Sequence, residues 1–390
     1  MKLLLYDMGA YTQQDIMETL DKMGIEYRNI LYKLADVSGD VYFEKRVKEL
    51  LAKEVYNAVF SVNYFPVLAR ICAEKGIPYI SWSYDSPIMV NDIEDTLGYD
   101  TNYVFFFDRA ECERYQRKGF GNVFHLPLAV NTERLDKIEL TKEDTLRYGA
   151  EVSLVGQLYE SVLPLLMEPL GDYEKGYLTA AIETQMRLYG SYFLPQVITE
   201  ELIQKMNQCY EELGLTDLKL EKDAFIITVA KQITHMERTL LLDTFSENYK
   251  VNLYGSDSHD GLPNVYWQGS AGYFDEMPKV FKSSKINLNI SLKCIESGIP
   301  LRALDIMGSG GFLLTNYQPE IAKHFVDGEE VVMYTSLEDA VAKCEYYLEH
   351  EDERKEIAKR GYEKVKRQFG YEGRIRRMLE MAGITKDEIR

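Results

Sequence analysis

Residues 286–315 read INLNISLKCIESGIPLRALDIMGSGGFLLT and predict a strand, a loop, a helix and a second strand. The apolar runs 286–290 and 312–315 predict the two strands. Pro300 stands where the first turn of a helix tolerates proline, and the glycine-rich run 308–311 ends the helix. A strand–helix–strand unit of this kind is the repeating element of a parallel sheet that helices cover on both faces.

The same alternation continues in both directions along the chain. Short apolar runs predict further strands at 3–6, 58–62, 77–82, 103–107, 152–155, 224–230, 250–254 and 264–267. Helical spacing occurs at 12–23, 66–75 and from 337 onwards. Residues 170–222 are helical in pattern and poor in strand signals, which predicts a helical insertion.

These patterns predict the α/β class, with two Rossmann-like doubly wound domains that face each other across a cleft. We place the first domain at 1–140 and the second, with its insertion, at 150–360. The helices of 361–390 are expected to pack back towards the first domain.

Composition excludes several classes of function. The chain has 390 residues, with 63 acidic against 45 basic side chains and a formal net charge of −18, so a nucleic-acid-binding surface is not expected. It has no apolar run of about 18 residues, which argues against an integral membrane segment. The apolar start is too short for a signal peptide, and five cysteines without paired spacing fit a reducing compartment. We therefore expect a cytoplasmic protein.

Several motifs of nucleotide and hydrolytic enzymes are missing from the sequence. It contains no G-x-G-x-x-G, no G-x-x-x-x-G-K-[ST] and no G-x-S-x-G. No two aspartates are spaced as Asp-x-Asp. Asp257, His259 and Asp260 share a polar loop flanked by glycine, where a hydrated turn is favoured over a metal site. We expect neither a metal nor a cofactor.

The segment 286–308 suits a phosphorylated ligand. A helix amino terminus after a parallel strand presents free N–H groups and positive potential. Arg302, in the first turn, offers a guanidinium fork to a diphosphate. Asp305, one turn on, offers a carboxylate to sugar or ribose hydroxyls.

This segment resembles the donor half of glycosyltransferases with the GT-B fold, and most of all the spore-maturation CgeB-like family. The motifs that carry the resemblance are LYG at 253–255, VYWQG at 265–269 and PLRALDIMG at 300–308, within a similar stretch of about 225–380. Residues 152–159 resemble the start of the donor domain. The motif SWSYDSP at 81–87 resembles the acceptor-side domain that is often fused to it.

The resemblance implies a set of donor contacts. Asp305 matches an acidic residue that contacts the donor ribose in the wider fold family. Retaining members hold a second glutamate eight residues earlier, where this chain has Ser297 beside Glu296. That departure leaves the stereochemistry open, and we favour inversion. The predicted donor-binding residues are Gly156, Tyr254, Trp267, Gln268, Gly269, Ser291, Arg302 and Asp305.

Several of these donor residues also have an ordinary structural interpretation. Trp267 either stacks on a nucleobase or belongs to a buried strand edge. Arg302 either binds phosphate or forms a surface ion pair. Gly156 either approaches the diphosphate or makes a tight turn.

Candidate catalytic residues lie in the first domain. Asp85 follows the strand 77–82 and is the candidate base for an acceptor hydroxyl, although an aspartate there also caps turns. His125 is a second candidate base or ligand, with a core histidine as the alternative. Asp7, Asn63 and Tyr84 are predicted to lie on the acceptor side.

The sequence therefore predicts a metal-independent glycosyltransferase. It would move a sugar from a nucleotide-diphosphate sugar, its co-substrate, to a hydroxyl-bearing glycan, protein or small molecule. A sugar-nucleotide 2-epimerase of the same fold is one alternative. A non-catalytic sugar-nucleotide-binding or spore-surface assembly protein is the other.

Overall fold

The computed structural model describes residues 1–256 and 261–384, which divide into two compact units. Unit 1 comprises Met1–Glu133, Ser297–Leu304 and the chain from Val365. Unit 2 comprises Arg134–Glu296 and Asp305–Lys364. The segment Ser297–Leu304 therefore belongs to unit 1, although residues of unit 2 flank it on both sides in the sequence.

Unit 1 is built on a six-stranded parallel sheet. Its strands are β1 (Lys2–Asp7), β2 (Glu26–Leu31), β3 (Ala58–Val62), β4 (Tyr79–Trp82), β5 (Asn102–Phe106) and β6 (Val123–His125). They lie in the order β2-β1-β3-β4-β5-β6, and every neighbouring pair is parallel. Strands β3 and β4 are buried along their whole length, as expected for a sheet covered on both faces.

Helices alternate with these strands and begin and end at recognisable residues. They are α1 (Thr12–Lys22), α2 (Val41–Lys53), α3 (Pro66–Lys75), α4 (Glu94–Leu97) and α5 (Arg109–Arg117). After β6, α6 (Thr132–Asp136) contains the boundary between the units, and α7 (Lys142–Tyr148) belongs to unit 2. The Asp40 carboxylate caps α2 by accepting a hydrogen bond from the backbone N–H of Phe43 at 3.0 Å. Pro66 occupies the first turn of α3, and Gly76, with φ of +64°, ends that helix.

Unit 2 contains a second six-stranded parallel sheet. Its strands are β7 (Val152–Val155), β8 (Val251–Tyr254), β9 (Tyr266–Trp267), β10 (Ile286–Asn289), β11 (Leu313–Asn316) and β12 (Val332–Tyr334). They lie in the order β12-β11-β10-β7-β8-β9. The chain starts at the central β7, winds out to β9, returns to β10 and winds out to β12, which is the strand order of a Rossmann fold. The predicted α/β class with two doubly wound sheets is confirmed.

The connection between β7 and β8 is helical throughout, and we call it the helical region. It contains α8 (Leu163–Met167), α9 (Asp172–Met186), α10 (Leu194–Val197), α11 (Glu200–Glu212) and α12 (Lys222–Ser246). These helices share a core of their own, which also buries Cys294 from the loop after β10. That loop is therefore held against the helical region.

The strand predicted at 224–230 is wrong, because these residues lie inside α12. An apolar run of this length does not distinguish a buried strand from a buried helix. Its buried residues recur at helical spacing, at Phe225, Ile226, Val229, Ala230 and Ile233. Three further strands were not predicted: β2, in which only Ile30 is buried, and the three-residue β6 and β12.

The remaining helices follow β9. They are α13 (Met277–Ser283), α14 (Leu301–Gly308), α15 (Pro319–His324), α16 (Leu337–Glu349), α17 (Glu351–Gln368) and α18 (Tyr371–Met381). Within unit 1, α18 packs against α1 and β5. The division between the units falls inside α14, since Leu304 belongs to unit 1 and Asp305 to unit 2.

Candidate functional site

The second sheet has one topological switch point, between β7 and β10. The chain leaves these neighbouring strands towards opposite edges, which opens a crevice at their carboxyl ends. Gly156 follows β7 directly, and Ser291 lies two residues after β10. The fold therefore brings these two predicted donor residues into neighbouring loops.

Arg238 of α12 ties the two loops of the switch point together. Its guanidinium donates one hydrogen bond to the carbonyl oxygen of Gln157 and another to that of Ile290. The side chain is 7% exposed and lies 4.8 Å from the ring centroid of Tyr159. The planar fork of arginine suits two acceptors at once. Both loops are thus held by one buried cation.

Arg238 was not predicted from the sequence, because it stands in no known motif. The signal available was a single arginine within a long helical stretch, followed directly by Thr239 and the apolar run Leu240–Leu242. A charge that is buried in such a place needs partners. Its two acceptors lie 81 and 52 residues away in the chain.

A network of hydrogen bonds holds the loop after β10 in place. The backbone N–H of Ser291 donates to Oδ1 of Asn316 at 2.8 Å. The amide of Asn289 donates to the hydroxyls of Thr315, at 2.9 Å, and of Ser291, at 3.3 Å. Ser291 is 4% exposed, and both its hydroxyl and its backbone N–H take part in these hydrogen bonds.

The loops after β7 and β8 approach each other closely. A Cβ on Gly255 would fall 2.6 Å from the carbonyl oxygen of Gly156, so only glycine fits there. The predicted donor residue Tyr254 is buried, and its hydroxyl accepts a hydrogen bond from Asn252 at 3.3 Å. Its side chain therefore faces the interior, and Tyr254 contributes to this edge through its backbone.

The edge strand β9 presents its side chains to solvent. Trp267 is 44% exposed, so the buried-edge interpretation does not describe it. Its indole N–H donates to the carbonyl oxygen of Gly255 at 3.0 Å. Gln268 is exposed, and Gly269, with φ of +75°, follows it. The fold brings these three predicted residues beside the loop after β8.

Asp305 is almost fully buried on α14. It is 4% exposed, and its Oδ1 accepts a hydrogen bond from the hydroxyl of Tyr273 at 3.2 Å. The guanidinium of Arg134 lies 5.3 Å from the ring centroid of Tyr273. Arg302, half-buried in the first turn of α14, belongs to the part of that helix that groups with unit 1.

In unit 1, the carboxyl ends of β3 and β4 bring Asn63 and Asp85 together. The Asn63 amide N–H donates a hydrogen bond to Oδ2 of Asp85 at 2.7 Å. Oδ1 of Asn63 accepts a hydrogen bond from the backbone N–H of Tyr84 at 2.8 Å. Asn63 has φ of +62°, a left-handed conformation that asparagine tolerates better than most residues. Asp85 is exposed at this edge, so its carboxylate is oriented by Asn63 and open to solvent.

The other predicted unit 1 residues have different surroundings. Asp7 is 9% exposed and accepts hydrogen bonds from Gly9 N–H at 2.8 Å and the Asn29 amide at 2.9 Å. The Tyr84 hydroxyl lies 3.3 Å from that of Tyr371. His125 ends β6, and β5 separates that strand from β4, so the sheet does not place His125 beside Asp85.

A buried acidic cluster of unit 1 was not predicted. Asp108 caps α5 and accepts hydrogen bonds from the N–H and the hydroxyl of Ser297, at 3.1 and 2.6 Å. The Ser86 hydroxyl lies 3.2 Å from Asp108 and 2.8 Å from Glu111. Glu111 also accepts the backbone N–H of Ile88, and its burial raises its pKa to about 7. Ser86 and Ile88 follow Asp85 closely in the sequence.

The described residues contain neither a metal-binding cluster nor a membrane-spanning helix. Within 1–256 and 261–384, no three or more His, Cys, Asp or Glu side chains are grouped so as to hold a metal ion. No helix in that part of the chain is both long and apolar enough to cross a bilayer. The loop of Asp257, His259 and Asp260 lies outside the described residues.

Known proteins share this architecture. A glycosyltransferase from Rickettsia africae matches 100% of this chain and 98% of its own, at 9% identity and a TM-score of 0.58. A sucrose-phosphate synthase from Thermosynechococcus elongatus matches 99% and 98%, at 11% identity and a TM-score of 0.58. Anabaena HepE in complex with UDP-glucose matches 99% and 100%, at 10% identity and a TM-score of 0.55.

At these identities the structural likeness shows the fold alone. No curated protein is significantly similar to the chain in sequence. Its residues 237–380 match the family model described as glycosyl transferase-like. The chain thus has the two-unit fold of the GT-B glycosyltransferases, and its residues 237–380 match the glycosyl transferase-like family.

Proposed function

We propose that the protein transfers a hexosyl group from a nucleotide-diphosphate sugar to a hydroxyl-bearing acceptor. The observation that carries the proposal is the arrangement along the carboxyl edge of the second sheet. Trp267 is exposed at the β9 end, and the Arg238-linked loops of Gly156 and Ser291 lie at the switch point. An aromatic face suits a nucleobase, and closely packed glycine loops suit a diphosphate.

UDP is the first nucleotide to test. Anabaena HepE, which shares the fold, has been solved with UDP and with UDP-glucose. In the present chain, the Asp305 carboxylate would accept a hydrogen bond from a ribose hydroxyl. This bond would add to, or replace, the hydrogen bond that Asp305 accepts from the Tyr273 hydroxyl. The finer resemblance to CgeB-like proteins of spore maturation rests on the sequence motifs at 253–255, 265–269 and 300–308.

The proposed reaction uses no metal. The charge that grows on the leaving diphosphate would be met by backbone N–H groups and by Arg302. Asp85 would act as the base that takes the proton of the acceptor hydroxyl, with Asn63 orienting it. The acceptor would be a glycan, a protein or a small molecule, bound on unit 1 near Asp7, Asn63 and Tyr84.

Thermal unfolding with nucleotides tests the donor site. UDP, GDP, dTDP and CDP would be compared with their common sugar conjugates. A ligand at 100 times its dissociation constant stabilises the folded state by about 2.7 kcal/mol, a shift of a few degrees. We expect such a shift with one nucleotide, and a smaller shift in Asp305→Asn.

Tyr273→Phe is the matched control for this variant. It removes the hydroxyl that donates a hydrogen bond to Asp305 but leaves the Asp305 carboxylate in place to bind the ribose, so nucleotide binding should be retained. The donor assignment fails if no nucleotide shifts the wild-type transition, or if Asp305→Asn responds like the wild type.

A non-catalytic nucleotide-sugar-binding protein is the second candidate. One observation favours it. Ser297 stands at the position of the second glutamate of retaining enzymes, and its hydroxyl donates a hydrogen bond to the buried Asp108 instead of offering a carboxylate to a sugar. Donor binding without any turnover, across a broad panel of acceptors, would support this candidate over the transferase.

A further inference from the structure

Unit 2 contains a small pocket beside the switch point, and we call it the β10–β11 pocket. Ser291, one of the predicted donor residues, also lines it. It lies between the loop after β10, the loop after β11 and the turn that follows α9. Its lining includes Tyr189, Gly190 and Tyr192 from the helical region, Lys293 and Glu296 from the first loop, and Tyr317 from the second.

The wall from the helical region is built for close contact. Gly190 has φ of +73°, and a Cβ there would fall 2.6 Å from the ring of Tyr317. The side chain of Gln185 accepts a hydrogen bond from the backbone N–H of Phe193 at 2.9 Å and donates one to the carbonyl oxygen of Ser191 at 2.8 Å. The turn is thus held in one conformation against the loop after β11.

The floor carries a buried ion pair. The Lys293 ammonium lies 2.6 Å from Oε1 of Glu237, and the two side chains are 8% and 2% exposed. The ammonium also lies 4.4 Å from the ring centroid of Tyr189. An ammonium has three N–H donors, more than one carboxylate oxygen uses. Because the two charges neutralise each other, the pocket suits a hydroxyl better than a further anion.

The pocket also lies in line with the proposed donor. Along the carboxyl edge of the sheet, the order is β9, β8, β7, β10 and β11. Trp267 ends β9, the Gly156 and Ser291 loops meet at β7 and β10, and the pocket follows at β10 and β11. From the β8–β9 boundary to the β10–β11 boundary is three strand spacings, about 14 Å. A ligand with its base at β9 and its diphosphate at the switch point therefore continues towards the pocket.

We propose that the β10–β11 pocket binds a hydroxyl-bearing substituent of the transferred sugar, with Lys293 as donor and the helical region as its wall. This inference rests on the proposed function, since it needs a nucleotide sugar in the site. It assigns the helical region a role in selecting the sugar. Binding of the nucleotide alone does not involve the pocket.

Isothermal titration with matched ligands separates the two roles. The ligands are UDP with UDP-glucose, and GDP with GDP-mannose, each titrated into the full chain. The double variant Glu237→Gln/Lys293→Gln replaces the ion pair by two amides of similar shape, which avoids leaving one buried charge alone. We expect an unchanged Kd for the nucleotide and a Kd about tenfold higher for its sugar conjugate.

A second variant guards against a folding defect in the first. Tyr317→Leu opens the wall opposite Gly190, so the preference for UDP-glucose over the bulkier UDP-N-acetylglucosamine should narrow several-fold. Tyr177→Phe is the control, because it also removes a tyrosine hydroxyl of the helical region. That hydroxyl donates a hydrogen bond to the carbonyl oxygen of Val197 and does not line the pocket. It should bind all ligands like the wild type.

The outcomes distinguish this inference from the proposed function. If both variants bind sugar conjugates as the wild type does, the pocket does not contribute to recognition of the sugar. Equal weakening of nucleotide and conjugate would also overturn the inference, because Lys293 would then act on the diphosphate or on the fold. Failure of the wild type to bind UDP, GDP, dTDP, CDP or any of their common sugar conjugates would remove the proposed function itself.

Discussion

The side-chain amide of Asn63 donates a hydrogen bond to Oδ2 of Asp85 at 2.7 Å. The same asparagine accepts the backbone N–H of Tyr84, so it fixes both the turn and the carboxylate. A general base contributes about 10²–10⁴-fold to rate. We predict that Asp85→Asn lowers kcat by about that factor and changes donor affinity much less.

Asn63 is a positioning residue in this account. Asn63→Gly keeps the left-handed backbone but removes the amide, and misplacement of a base costs up to about 10²-fold. We predict a lower kcat with little change in donor KM, measured by steady-state kinetics. Wild-type kcat in Asp85→Asn would show that Asp85 is not the base.

Arg238 is predicted to support both stability and donor binding. Hydrogen bonds to a charged donor contribute about 1.5–3 kcal/mol each, and Arg238 makes two. Arg238→Met should therefore lower the free energy of unfolding by about 3 kcal/mol or more. Arg238→Lys should retain part of that stability but weaken nucleotide binding, because an ammonium lacks the planar fork.

Denaturant unfolding and titration calorimetry measure these two effects. The control is Lys231→Met, an exposed residue of the same helix α12, which should alter neither quantity. If Arg238→Lys binds the nucleotide as tightly as wild type, the two loops do not depend on Arg238 for binding.

Glu111 is predicted to make stability depend on pH. Burial raises its pKa from 4.5 to about 7, so between these values the folded state holds a proton that the unfolded state has released. Its contribution is complete below about pH 4.5 and is lost as the pH rises through about 7. At 1.36 kcal/mol per pKa unit, the loss is about 3 kcal/mol.

The Glu111→Gln variant keeps the shape of the side chain and cannot ionise. Relative to wild type, it should therefore gain stability as the pH rises from about 4.5 to 8, in unfolding experiments at several pH values. Parallel pH profiles for the two proteins would contradict a protonated Glu111 in the folded state.

Ser297 is predicted to stabilise the segment before α14 through Asp108. Ser297→Ala removes the hydroxyl bond of 2.6 Å and keeps the backbone bond of 3.1 Å. The expected loss is about 1–3 kcal/mol, since Asp108 is buried and loses one donor. Differential scanning calorimetry measures it, and a variant as stable as wild type would show that water replaces the hydroxyl.

The fold was predictable because periodicity and turn residues are local signals. Strands such as β10 and helices such as α1 and α3 lie where apolar spacing predicts them, and α3 ends at Gly76. The neighbouring loops of Gly156 and Ser291 were also predictable, since carboxyl ends of parallel strands share one edge. The strand predicted at 224–230 failed because a short apolar run carries no decisive period.

The contacts that shape the site were not predictable in the same way. Arg238 reaches Gln157 and Ile290, and Asp108 reaches Ser297, across 52 to 189 residues of sequence. The pKa of Glu111 depends on burial, which no local pattern around it reveals. Such partners are set by packing between distant segments, and a single sequence does not contain that information in its spacing.

Turnover of a nucleotide sugar without metal is the decisive measurement for the proposed transferase. The protein would be incubated in EDTA with UDP-, GDP-, dTDP- and CDP-sugars and a mixed panel of hydroxyl acceptors, and release of the nucleoside diphosphate would be followed. We predict release from one nucleotide type in wild type, with a loss of about 10²-fold or more in Asp85→Asn. No release from any donor, or release that Asp85→Asn leaves unchanged, would contradict it.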